Sequence, residues 1–336
     1  MRTFSNFGNR AQIANIGKMG MLSLVAAPSL RGGWDPRLAA EYLDSRHKEW
    51  LPAKATGGTC LSCYPVATYL LARPALRRTL RESQPTSYET DPPNSLRSTA
   101  GLMDAKDIFP AFAKAPPASQ FLGVEAVYAA LFLAQADAGK ATLNAYAQNA
   151  FDRLWPLQFK EGPAKGAWQW LTLGLVRERT ADLKAYFACE RESQPPQNRL
   201  MLVWASTKLV DAMPGAARRS TIDEIGRKQE ANGRWTIQSL APRKEHPPAL
   251  VSTGSNSCAS ALVTFVLETQ DIAQVDPRLA RERAWLASHQ AHQGGYWAAD
   301  SMNKQYPPGS MQERFMREAT AFAAMALSAT SGSAKK

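Results

Sequence analysis

The chain has 336 residues, 45% of them apolar and 21% charged, with 40 Lys and Arg against 29 Asp and Glu for a net charge of +11. That apolar content excludes a disordered chain, and no uncharged apolar run approaches the ~20 residues that a membrane-spanning helix needs. Four cysteines are too few for a disulfide scaffold, and the length is ample for a buried core.

Residues 1–33 carry Arg2, Arg10, Lys18 and Arg31 and no acid. The apolar stretch Met19–Ala27 follows the last of the first three bases. A secretory signal and a disordered basic tail both fit this pattern; the first implies a periplasmic or secreted protein, the second a cytoplasmic one. Peripheral membrane association is compatible with either. Elsewhere the basic surplus falls in pairs, Arg77-Arg78 and Arg218-Arg219, which read as solvated helix faces. No zinc finger, recognition helix or basic-aromatic box is present, so nucleic acid is not an expected partner.

From residue 34 on, the periodicity is helical. Val124, Val127, Tyr128 and Leu131 recur at helical spacing, with Glu125 beside the stripe. Cys258, Ala261, Leu262, Phe265 and Val266 predict another buried stripe, and Phe315, Ala319, Phe322 and Ala326 a third. Proline pairs at 92–93, 116–117, 195–196, 247–248 and 307–308 punctuate the helices. The expectation is an all-α fold. Within it a repeat emerges: three segments end a helix on Gln and follow it with Gly and Trp. They are Gln158–Gly166–Trp168, Gln229–Gly233–Trp235 and Gln290–Gly294–Trp297, with the tryptophans 67 and 62 residues apart. Glycine permits the left-handed turn after a helix, the indole can lie against that turn, and the Gln amide can bond backbone groups at the start of the next helix. Gln290 and Gln293 both lie near Trp297, and either could be the structural glutamine.

Gln-x-x-x-Gly-x-Trp at 229–235 resembles the QW motif of the squalene-hopene cyclase and protein prenyltransferase superfamily. The stretches Ala40–Asp44, Cys60–Cys63 with Leu71–Arg77, Lys165–Trp168, Trp204–Lys208, and Ser301–Lys304 with Arg314–Met316 are similar to a divergent bacterial branch with a single toroid, whose relatives carry Cys-x-x-Cys-His near the N-terminus. The resemblance implies an α/α toroid of paired helices over residues 34–330, with a basic segment at 1–33 and a disordered tail at 331–336. It implies an apolar central cavity that binds an isoprenoid or triterpenoid lipid, with transformation of that lipid left open. The alternative is a non-catalytic extracytoplasmic interaction or redox-associated protein with a degenerate haem site.

The chemistry of the superfamily is not spelled out here. Its cyclases protonate an alkene with an Asp-x-Asp-Asp acid, a motif this sequence lacks; Asp223-Glu224 reads as an exposed helix face. Asp182, at the apparent start of a helix, is a lone acid that is either a proton donor or a first-turn helix stabiliser. Glu125 is either a buried acid with raised pKa or part of a rim ion pair. The prenyltransferase zinc ligands are absent: Asn256-Ser-Cys258 leaves Cys258 as a small buried hydrophobe, and no His follows. Whether the chain is an enzyme stays open. Relatives use the Cys pair and an adjacent His to hold haem c, but Tyr64 stands in place of the axial ligand. Cys60 and Cys63 are thus a degenerate haem site, a disulfide or plain thiols; no metal and no cofactor is expected. His289 and His292 flank Gln290 in a turn where exposure is expected, and Cys189 has no partner that the sequence supplies.

Overall fold

The computed structural model describes residues 33–53, 65–90, 127, 130–133, 142, 145–154, 181–207, 209, 211–240, 257–270, 276–299 and 319–329. Residues 33–336 form one compact unit. Every described element is a helix, so the fold is all-α: α1 (Pro36–Ala53), α2 (Pro65–Leu80), α3 (Ala145–Leu154), α4 (Ala181–Glu190), α5 (Pro196–Ser206), α6 (Gly215–Arg227), α7 (Ser257–Glu268), α8 (Pro277–Ser288) and α9 (Thr320–Ala329), with a 3₁₀ turn at Arg191–Ser193 and a single turn at Ile237–Leu240.

The starts of these helices follow from local chemistry. Asp35 accepts the N–H groups of Arg37 and Leu38 (2.8 and 3.2 Å), and Asp276 accepts that of Arg278 (2.9 Å). Each Asp is followed by Pro at the first helical position, where the missing N–H costs nothing. The proline pair at 195–196 does not merely end a helix; Pro195 is the N-cap and Pro196 opens α5. After α2, Arg81 turns left-handed (φ 57°) and Glu82 N–H bonds back to the Arg77 carbonyl at 3.0 Å, which closes the helix. A capping box follows: Thr86 N–H donates to Glu89 Oε2 (2.9 Å) and Glu89 N–H to Thr86 Oγ1 (3.3 Å).

Packing places α5, α7, α9 and α2 side by side in that order, while α6 covers α5, α8 covers α7 and α9, and α1 covers α9 and α2. α7 is apolar almost all round, with nine of its twelve residues buried, because neighbours press on it from several sides. α9 is built largely of Ala, with Ala323, Ala324 and Ala326 at 0% exposure, which lets α7 and α2 approach its backbone closely. The first described helices thereby pack on the last.

Some sequence expectations change here, and one lies partly outside the described residues. Cys258 and Phe265 are half-buried rather than buried, on a stripe of α7 that the described helices cover only in part. The third periodic stripe gives a helix from Thr320, and Phe315 lies outside the described residues. Arg77 is no solvated base: it is half-buried and donates to Glu89, whose side chain is 5% exposed. Asp223 is exposed as expected, while Glu224 is half-buried and takes Arg199 at 2.8 Å.

Candidate functional site

Two of the three Gln–Gly–Trp joints are described, and they use the same bonds. In the first, Gln229 Nε2 donates to the Gly233 carbonyl (2.7 Å) and to the Arg278 carbonyl at the start of α8 (3.1 Å), while its Oε1 accepts Arg281 (2.8 Å). Trp235 is 0% exposed; its indole N–H donates to the Ile225 carbonyl (2.7 Å) and its backbone N–H to Ser260 Oγ on α7 (2.9 Å). In the second, Gln290 Nε2 donates to the Gly295 carbonyl (3.0 Å). Trp297, also 0% exposed, donates through its indole to the Leu286 carbonyl (2.7 Å) and through its backbone to Thr320 Oγ1 on α9 (3.4 Å). Each joint thus ties the end of one covering helix to the start of the next side-by-side helix. Gly233, Gly294 and Gly295 hold positive φ of 89°, 97° and 70°, which side-chain-bearing residues rarely adopt.

The sequence places the glutamine amide at the start of the next helix in the chain, but it reaches past α7 to the next covering helix. Gln229 reaches α8. Gln290 is followed by no further covering helix among the described residues, and bonds to the start of α1: its Nε2 donates to the Asp35 carbonyl at 2.9 Å and its Oε1 accepts the Asp35 N–H at 2.6 Å. Gln290 is therefore the structural glutamine, buried at 8% exposure, while Gln293 is exposed. Sequence reasoning missed this contact. The available signal was Asp35-Pro36-Arg37-Leu38-Ala39, which repeats as Asp276-Pro277-Arg278-Leu279-Ala280 at the start of α8.

On the stripe left uncovered, the side-by-side helices present a row of aromatics. The Trp204 ring of α5 meets Phe265 of α7 edge to face (centroids 4.9 Å apart), and Phe265 meets Phe322 of α9 at 6.0 Å. Phe265 and Phe322 are half-buried, as are Cys258, two turns before Phe265, and Met201 on α5. The row offers π faces and methylenes, and edge-to-face packing on Trp204 orients the Phe265 ring.

A second cluster is polar and centred on buried Tyr69, His47 and Arg73, with the Asp44 and Glu82 carboxylates partly exposed. Arg73 on α2 donates to Asp44 of α1 (3.0 Å) and to Glu82 (2.6 Å), and Tyr69 O–H donates to Asp44 at 2.8 Å. His47 stacks on the Tyr69 ring at 4.4 Å. Burial alone would lower the Arg73 pKa, but its bonds to Glu82 and Asp44 outweigh that and raise it; burial first, then the Asp44 carboxylate, raises that of Tyr69. With Tyr69, His47 and Arg73 exposed by only 1–2%, this cluster fastens α1 to α2.

The sequence also left Glu282 unremarked. It lies on α8 between Leu279 and Leu286, all three at 0% exposure, and neither carboxylate oxygen has a hydrogen-bond partner within bonding geometry. Burial pushes its pKa up to about 8, although the Ser260 hydroxyl and the Arg234 charge pull the other way.

Of the sequence-derived site residues, Asp182 occupies the second position of α4. Glu125, Cys60, Cys63, Gln158, Gly166 and Trp168 lie outside the described residues. His289 and His292 are exposed, as expected, and so is Cys189. Among the described residues no three His, Cys, Asp or Glu side chains cluster as a metal site, and no helix is long and apolar enough to cross a membrane.

No family model matches the chain, and no curated protein does. Among solved structures the chain is similar to a polysaccharide lyase, at 12% identity over 87% of this chain and 96% of the other, with a TM-score of 0.37.

Proposed function

We propose that the chain is a toroid of paired helices of the squalene-cyclase-like kind, and that the uncovered face of its inner helices binds an apolar isoprenoid or triterpenoid lipid. The observation that carries this reading is the aromatic row Trp204–Phe265–Phe322, contributed by three adjacent helices, with Trp204 buried and Phe265 and Phe322 half-buried. Polyunsaturated hydrocarbons are held by such surfaces through apolar burial and contact with π faces, with no charged group required. The repeated joints support the ring: each glutamine docks on the next covering helix, and the last one docks on α1. Binding is the proposed activity. A reaction on the lipid would need an acid at the row, and Asp182 and Glu125 are the residues to try.

Organic extraction of the purified protein followed by mass spectrometry tests the reading, with squalene added back to delipidated protein as the probe. Burying one phenylalanine ring is worth about 1.5–3 kcal/mol, so Phe265→Ala should weaken squalene binding roughly 10- to 100-fold while leaving the far-ultraviolet circular dichroism unchanged. Absence of extractable apolar lipid together with no squalene binding by the delipidated wild type refutes it.

A further inference from the structure

We propose that the α1–α2 hairpin, with the capping turn that follows it, is a non-covalent clasp that closes the ring and detaches as one body. Within the hairpin the bonds are polar and partly buried: Arg73 joins Asp44 to Glu82, and Arg77 joins the capping turn through Glu89. These ties make residues 33–53 and 65–90 a single cooperative piece.

The seam to the rest of the molecule has a different character. α2 and α1 lie on the Ala-rich α9. Tyr42 meets Tyr296 at 5.5 Å, and Trp34 meets Trp297 at 6.3 Å. Gln290 holds the Asp35 peptide through both its amide N–H and its carbonyl. A β-carbon at Gly295 would fall on the Leu38 carbonyl and within 2.7 Å of Leu38 Cβ, so the closeness of this seam depends on that glycine. The equivalent contact of Gln229 with α8 joins helices continuous in the chain on both sides. α1, by contrast, fills the place of a next covering helix from the other end of the sequence. Sequence-distant docking of this kind has no short linker to bring the faces back together, so it opens before the continuous joints do. The clasp rests on the ring arrangement proposed above but not on the lipid.

Native-state hydrogen exchange on the full lipid-free chain, read by mass spectrometry, tests it. Peptides from 33–53 and 65–90 should share one opening event, faster than that of α5, α6, α7 and α8. Gln290→Ala should speed exchange of the hairpin about ten-fold, the effect of two lost hydrogen bonds, and leave α6 unchanged. Gln229→Ala should speed α6 and α8 and leave the hairpin unchanged. Should Gln290→Ala fail to fold, Trp34→Ala loosens the same seam. The proposal is overturned if the hairpin exchanges only with global unfolding, if α1 opens separately from α2, or if the two glutamine variants affect the hairpin alike. None of these readouts depends on lipid, so failure of the binding test leaves them interpretable.

Discussion

Replacing Glu282 by Gln asks what a buried carboxyl without a partner costs. In the unfolded chain its pKa lies near 4.5, and in the folded protein burial raises it to about 8. Below pH 4.5 the group is neutral in both states and has no effect on the pH slope. Between 4.5 and 8 the unfolded chain gives up its proton while the folded one retains it, so stability falls as pH rises. Above 8 both states are ionised and the slope ends. The whole span amounts to roughly 5 kcal/mol, at no more than about 1.4 kcal/mol per pH unit. The groups facing Glu282 do not cancel this. Ser260 and Arg234 are already included in the raised value, Glu268 on α7 is engaged by Arg283, and α9 carries no titratable side chain. Glu282→Gln keeps the shape and removes the proton. Urea unfolding from pH 4.5 to 9, followed by fluorescence of the buried Trp235 and Trp297, should show a variant that is no more stable than wild type at pH 4.5, since its amide is also unpartnered. By pH 8 it should be several kcal/mol more stable. Parallel curves for the two proteins across this window would refute the assignment. Histidine titration is common to both and drops out of the difference.

Two further substitutions probe the joints. Trp235→Phe keeps the ring but removes the indole N–H that serves the Ile225 carbonyl, and should lower stability by about 2 kcal/mol in chemical denaturation; an unchanged midpoint would make that bond irrelevant. Gly295→Ala places a methyl against Leu38 at a positive φ, and should cost at least about 2 kcal/mol. Gly215→Ala, with nothing nearer than Arg219 at 3.7 Å, should be neutral or stabilise by about 0.5 kcal/mol in the same assay.

The joints were legible because each of their residues answers a specific local demand. A left-handed turn calls for glycine, and a fully buried indole needs an acceptor that the end of the preceding helix supplies. The choice of Gln290 over Gln293 was not legible, since it depends on Asp35, which only tertiary structure brings near. Periodicity likewise identified α7 as a core helix but not which stripe stays open, because an all-round apolar helix has no polar face to mark the outside. Arg73 and Glu282 illustrate the same blindness from the polar side. Arg73 looks like one base among several in a basic helix until Asp44 and Glu82 converge on it. Glu282 did carry a signal, an acid at i+3 and i−4 from Leu279 and Leu286, and that signal marks a face rather than a role.

The joints and the aromatic row answer to different physics, and this separation bears on how the function should be sought. Each joint satisfies backbone carbonyls with one amide and one indole, and would hold paired helices together whatever lay inside them. Nothing in it recognises a ligand. Under the lipid-binding proposal, recognition falls to the stripe where Met201, Cys258, Phe265 and Phe322 stay half-buried beside Trp204. A chain selected only for stability gains by filling or covering that stripe. Ala already does so along α9, where Phe322 alone among residues 319–328 departs from full burial. Variation at Phe322 should therefore change what binds and leave the fold intact, whereas variation at Gln290 or Trp297 should do the reverse.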